Sequence, residues 1–191
     1  MTSDLFDRHS LPEDLLFLAA RYPREDWTGH ANLGGMAQFW LQRHDMFRGL
    51  GTALDGAIAG YREGDFDARA FQGWLVPRLQ VFLNELNGHH HIEDRHYFPV
   101  FRAAEPRLDT GFAALEGDHE LIHGTILGTA EAANGLLVRI HAGASDLRPE
   151  CDRYADASDR LIAGVIRHLA DEEDLIIPLI LDRTEAGLGL A

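Results

Sequence analysis

Apolar positions recur along most of this chain with the 3.6-residue period of a helix, and the periodic stretches fall into four long segments. Segment A covers about 31–60, segment B 67–104, segment C 110–142 and segment D 149–183. Asp109 and Thr110 suit the cap of segment C, and Pro149 suits the first turn of segment D. Pro77 predicts a kink in segment B or marks its true start. Neither sustained period-two alternation nor an Asn-Gly hairpin signal occurs, so strands are not expected. The connectors YREGDF, AEPRLD and AGASDLR are short, and short links between long helices make antiparallel neighbours. The expected fold is all-α: an antiparallel up-down-up-down four-helix bundle over 31–191. Residues 1–30 form an N-terminal arm packed on it, with a short helix near 12–21.

Composition narrows the function more than the fold. With 191 residues, 46% of them apolar, the chain can close one sizeable core. A formal charge of −14 leaves no basic stripe for nucleic-acid phosphates and no attraction to an anionic membrane surface. The lone Cys151 permits no internal disulfide. No secretory leader pattern and no apolar run of membrane-spanning length is present, so a cytoplasmic location is expected.

The 11 histidines change the picture. Segment B reads HHHIEDRHYFPVF and segment D reads HLADEEDLIIPLIL. Aligning His89 with His168 also aligns Glu93 with Glu172, Asp94 with Glu173 and Pro99 with Pro178, which suggests a pseudo-two-fold bundle. Residues four apart share one helix face. His89 with Glu93, His119 with His123, and His168 with Glu172 are such pairs, and His44 adds a lone imidazole from segment A. At ~1.5 Å rise per residue, all seven lie roughly 14–22 Å from one end of an antiparallel bundle. Trp40, Phe47, Leu86, Leu115, Ile126, Leu127, Val165, Leu175 and Ile176 flank them one turn away, which predicts burial. A buried His/Glu layer needs partners, and metal ions satisfy it at once.

A lone His, then HxxxE, HxxxH and HxxxE on successive helices, with a proline six residues after each Glu, resembles the hemerythrin-like (HHE cation-binding) family over about residues 31–183. The resemblance implies a non-haem di-iron site. His119, His123 and His168 would hold one iron, and His44 and His89 the other. Glu93 and Glu172 would bridge them with an oxo or hydroxo group. The iron with fewer histidines would keep an open position for O2 or another small ligand. Oxygen-carrying members have an Asp five residues after the last His; here Glu172 stands four after His168.

Other residues have plainer readings. HELIH at 119–123 is also a zincin pattern, with Glu120 as general base, but that leaves His44 and both HxxxE pairs unexplained. His90 and His91 are rotated about 100° and 200° from His89, which places them at the flank. His96 and Tyr97 fit packing or support of the ligands, and Glu120 and Glu173 are expected to face solvent. Two function classes follow. One is binding or sensing of O2, NO or a related oxidant, for which a separate protein partner would be needed. The other is a di-iron oxidoreductase acting on peroxide or NO. Zinc or manganese suits the same ligands, and iron storage or a zinc peptidase ranks lower.

Overall fold

The computed structural model describes residues 4–65 and 67–190, and among them it is all-helical with no strand. The arm holds a 3-10 turn at Glu13–Leu15, a short helix α1 (Phe17–Arg21) and a second turn at Arg24–Asp26. The long helices are α2 (Gly35–Glu63), α3 (Ala68–Ile92), α5 (Asp109–His141) and α6 (Arg148–Arg183), with the short α4 (Phe98–Ala104) after α3. Helix α2 packs on α3 and α6, and α5 packs on the same two, so each long helix has two long neighbours. Among the described residues, no helix is long and apolar enough to cross a membrane.

Each long helix buries a stripe spaced three and four residues apart, the spacing that keeps one face toward a core. In α2 it runs Ala37, Trp40, His44, Phe47, Gly51, Leu54, Ile58. In α3 it runs Phe71, Leu75, Leu79, Phe82, Leu86, His90. In α5 it runs Phe112, Leu115, His119, Ile122, Ile126, Thr129, Ala133, Leu136. In α6 it runs Tyr154, Ser158, Leu161, Val165, His168, Glu172, Leu175, Leu179. The stripes meet in two apolar clusters. One is built on Phe47, Phe82, Leu86, Ile122 and Val165, and the other on Trp40, Phe98, Phe101, Leu115 and Leu175. The histidines and the glutamate of the stripes lie between the two clusters along every long helix.

The helix ends have local causes. Asp67 caps α3 by accepting from the Ala70 N–H at 2.7 Å, so the helix starts there and runs through Pro77. Asp109 lies inside the first turn of α5, which has no side-chain cap. Gly64, at φ 87°, closes α2 in the left-handed conformation that glycine adopts without strain. At the other end of α2, Gly34 lets the Glu185 carboxylate approach where a Cβ would collide at 2.4 Å, and Glu185 then accepts the Ala37 N–H at 2.9 Å.

Segment B is not one regular helix. A π turn spans Glu93–Tyr97, and the Phe98 N–H donates five residues back to the Glu93 carbonyl. Pro99 lies in the first turn of α4, and a proline has no N–H to continue the α-helical ladder. Pro178 by contrast sits inside an unbroken α6. Single π turns occur often at functional sites.

The α4–α5 connector is tied to the end of α6 by Glu105. Its buried carboxylate accepts from Arg107 Nε at 2.8 Å and from Arg183 Nη2 at 3.0 Å. Hydrogen bonding to Arg107, and then to Arg183, holds this carboxyl down at about 2. A depressed carboxyl contributes stability above its unfolded value of roughly 4.3 and loses it as pH falls through the folded value. Glu105→Gln is therefore expected to cost about 1 kcal/mol near neutral pH, a modest figure because both arginines are largely in solvent. Denaturant titrations of the two proteins should converge as pH is lowered from about 4.3 toward 2.

Candidate metal centre

The buried polar layer contains two groups of ligand atoms that share a carboxylate. His90, Glu93, His119 and His168 form one, and His44, His89, Glu93 and Glu172 form the other; within each, the ligand atoms lie within 4.8 Å of one another. Glu172 also reaches both groups. Its Oε1 is 3.4 Å from His44 Nε2, and its Oε2 is 3.1 Å from His168 Nε2. His119 Nε2 is 3.1 Å from His168 Nε2, and His89 Nε2 is 2.9 Å from Glu93 Oε1 without hydrogen-bond alignment.

Six of the seven sequence-derived ligands come together here, and His123 does not. His123 is exposed, with Nδ1 3.2 Å from the Asn87 side-chain oxygen, and it belongs to neither group. His90 lies in that layer instead; it is 4% exposed and stacks on His119 with ring centroids 4.0 Å apart. The physical reason is the stripe. On α5 it passes from His119 to Ile122 and Ile126, so position 123 turns outward, as does Leu127 beside it, 59% exposed. On α3 it passes from Leu86 to His90. In angular terms Glu93 falls between His89 and His90, at about +40° from one and −60° from the other, so both flank it. The zincin reading fails on the same geometry, because Glu120 is also exposed.

The outer nitrogens of three rings are held by carboxylates. His44 Nδ1 is 2.9 Å from Glu173 Oε1, His119 Nδ1 is 2.7 Å from Asp94 Oδ1, and His168 Nδ1 is 3.4 Å from Asp118 Oδ2. Such partners fix the tautomer and point Nε2 toward a metal. Glu173, expected on the surface, is thus buried in the centre's support. The pseudo-two-fold is real at this level. Asp94 and Glu173, matched by the internal alignment, each orient a histidine on a neighbouring helix. Asp118 had no signal beyond lying next to His119. Trp40 Nε1 donates to Glu172 Oε1 at 2.5 Å and fixes that carboxylate from the apolar side. His96 is exposed, and Tyr97 is half-buried with its ring 5.0 Å from Trp40.

The charges within the layer conflict. Burial, and next the adjacent Glu172, pushes Glu93 well above the usual carboxyl range. Burial opposes ionisation of Glu172 too, but His44 and His168 outweigh it and hold that carboxyl low. Burial drives His89 down to about 3. His168 rises to about 9 against its burial, because Asp118 and Glu172 hydrogen-bond to it. His44 Nε2, His89 Nε2, His90 Nε2, both oxygens of Glu93 and Glu172 Oε2 have no hydrogen-bond partner. Buried polar atoms without partners are costly, and these converge within the two groups. A pair of divalent cations fits the donor set: neutral imidazoles and carboxylates satisfied together, with two carboxylates placed to bridge.

One half of the centre meets a pocket. A recess of about 160 Å³ lies among Met36, Phe39, Trp40, Ile92 and Tyr97, with His89, Glu93 and Arg43 in its wall. It touches the group that has two histidines rather than three.

Comparison with known proteins identifies the family. The chain is 32% identical over 87 residues to an uncharacterized protein of Haemophilus influenzae, an alignment spanning 46% of this chain and 45% of that protein. The chain thus matches about half the length of that curated relative. No solved structure matches it. The family described as hemerythrin HHE cation binding domain matches residues 36–180, a span that contains all of the clustered histidines and glutamates. The chain belongs to the hemerythrin HHE cation-binding family.

Proposed function

We propose that this protein is a non-haem di-iron protein that binds or senses O2, NO or a related small oxidant. The observation that carries the reading is the pair of four-residue groups joined by Glu93, one of them against an apolar pocket. His90, His119 and His168 would hold one iron, His44 and His89 the other, and Glu93 and Glu172 would bridge. When bound, the iron pair supplies reversible electron transfer to a small ligand. The protein's own residues supply the rest. Met36, Phe39 and Ile92 favour an uncharged ligand, and Trp40 keeps Glu172 in place. Contacts of Ala37 with Glu185 and of Arg62 with Asp152, joining opposite ends of α2 and α6, support the antiparallel arrangement.

The test is metal analysis of the native protein together with its optical spectrum under air and under reductant. Two irons per chain and a visible band bleached by reductant are expected. One zinc and no iron would overturn the reading. Access can be tested separately. Ile92→Trp fills the mouth of the pocket and is expected to slow NO binding in stopped flow by about tenfold, roughly 1.4 kcal/mol of barrier, with metal content unchanged.

A second reading, an oxidoreductase acting on peroxide or NO, draws on one further observation. Tyr97 and Arg43 line the same pocket, where reduction of a peroxide needs a proton and a positive charge. Rapid peroxide consumption that is lost in Tyr97→Phe would favour it over carriage or sensing, and a sensor would act through a separate protein partner.

A further inference from the structure

The N-terminal arm sends two arginines to the support of the polar layer, one to each half. Arg8 is buried and forks between helices: Nη1 donates to Asp118 Oδ1 at 2.9 Å, Nη2 to Asp118 Oδ2, and Nε to Asp171 Oδ2 at 2.8 Å. Asp118 is the carboxylate facing His168 Nδ1. Arg24 donates from Nη1 to Glu173 Oε2 at 2.6 Å, from Nε to Asp174 at 2.8 Å and from Nη2 to the Ala170 carbonyl at 2.8 Å. Glu173 is the carboxylate facing His44 Nδ1, and the same oxygen, Oε1, also takes Arg48 of α2 at 2.8 Å.

The arm is seated to deliver these contacts. Leu5 is 1% exposed, and Leu5 and Phe6 lie so close to Gly164 that a Cβ there would meet Phe6 at 2.9 Å. Leu11, Leu15, Leu18 and Trp27 are buried in the apolar cluster beyond the centre. A chain segment anchored at both ends thus carries Arg8 to α5 and α6, and Arg24 to α6.

We propose that the arm is a working part of the metal centre, with Arg8 and Arg24 as positioning residues that lock the carboxylates orienting His168 and His44. The inference rests on the two-metal reading above. An arginine fork fixes both oxygens of a carboxylate in one plane, and the carboxylate then fixes the imidazole. Arm docking and metal binding are therefore coupled, and the coupling is reciprocal. Arg8 is the stronger clamp, because Asp118 has no other arginine, whereas Glu173 shares its charge between Arg24 and Arg48.

Anaerobic titration with Fe(II) against a competing chelator tests this on the full chain. In a His44→Ala background, which leaves only the His90/His119/His168 half intact, Arg8→Ala is expected to weaken Fe(II) binding about tenfold or more, the scale seen for support residues of metal ligands. Arg24→Ala is expected to change it little there. Arg8→Lys should restore only part, since one ammonium cannot fork to two carboxylates. On an Asp118→Asn background Arg8→Ala should add nothing. Should Arg8→Ala fail to fold, Arg8→Lys and the half-exposed Arg24→Ala carry the test, the latter expected to weaken the His44/His89 half in an otherwise native chain. Hydrogen exchange of the arm amides should slow when Fe(II) is added to the native protein. Wild-type affinity in all the arginine variants would overturn the inference, as would equal weakening of both halves with additive effects on the Asp118→Asn background. A native protein that binds no Fe(II) pair would overturn the two-metal reading instead.

Discussion

The His90→Ala variant is expected to lose its tightly held second metal ion, while His123→Ala keeps two per chain. The contrast follows from position alone. His90 is buried, its Nε2 has no partner, and its ring stacks on His119 inside a four-ligand group. His123 is exposed and already engaged with Asn87. Removing a support residue of a metal ligand costs about 10–100-fold in affinity, so removing a ligand itself should exceed the upper end of that range. Metal analysis after dialysis against a weak chelator reads the difference. Loss of metal from His123→Ala, with retention in His90→Ala, would show that the HxxxH spacing and not the buried stripe selects the ligands. Thermal melts of both metal-free variants separate ligand loss from unfolding.

Glu93→Leu should make the metal-free protein more stable and the metal-exposed protein relatively less so. Both Glu93 oxygens are buried without a hydrogen-bond partner, beside another carboxylate. Replacing such a group by an apolar side chain of similar volume is worth roughly 1–3 kcal/mol, or about 2–12 °C in melting temperature for a chain of this size. With metal present the order inverts. Native protein at a thousand times the dissociation constant gains about 4 kcal/mol, and the variant, lacking the shared ligand, gains little. A crossing of the two melting curves between chelator and Fe(II) is the expected signature. A metal-free Glu93→Leu protein that melts below the metal-free native protein would mean that the layer is satisfied without metal.

The inversion also explains why such a layer persists in the middle of the helix stripes. Apolar clusters on either side provide the burial that holds the helices together, so the polar layer can be maintained at the expense of metal-free stability. Its cost is offset only when cations complete it.

Much of this was legible before any coordinates. The four long helices, the level of the polar layer and six of the residues gathered in it follow from period and spacing, because i to i+4 pairs on amphipathic helices leave few choices of face. The internal alignment pairs Asp94 with Glu173, but that each holds a histidine ring appears only in the packing. His123, expected as a ligand from its spacing, lies outside both groups for an identifiable reason. HxxxH satisfies a ligand spacing, but the apolar stripe Leu115, Ile122, Ile126 admits His119 and excludes position 123. The stripe Phe82, Leu86 admits His90 by the same rule. Stripe membership and motif spacing thus select different histidines, and the structure buries His90 rather than His123.

Sequence alone dictates the helical class, the family pattern and the histidine and carboxylate make-up of the buried layer, since those depend on local periodicity and residue type. The tertiary structure decided which of two neighbouring histidines faces inward, where the π turn falls, and that Arg8, 110 residues from Asp118, reaches under it. These depend on how helices rotate and pack against one another, and on an arm whose irregular backbone carries no period from which its contacts could be read.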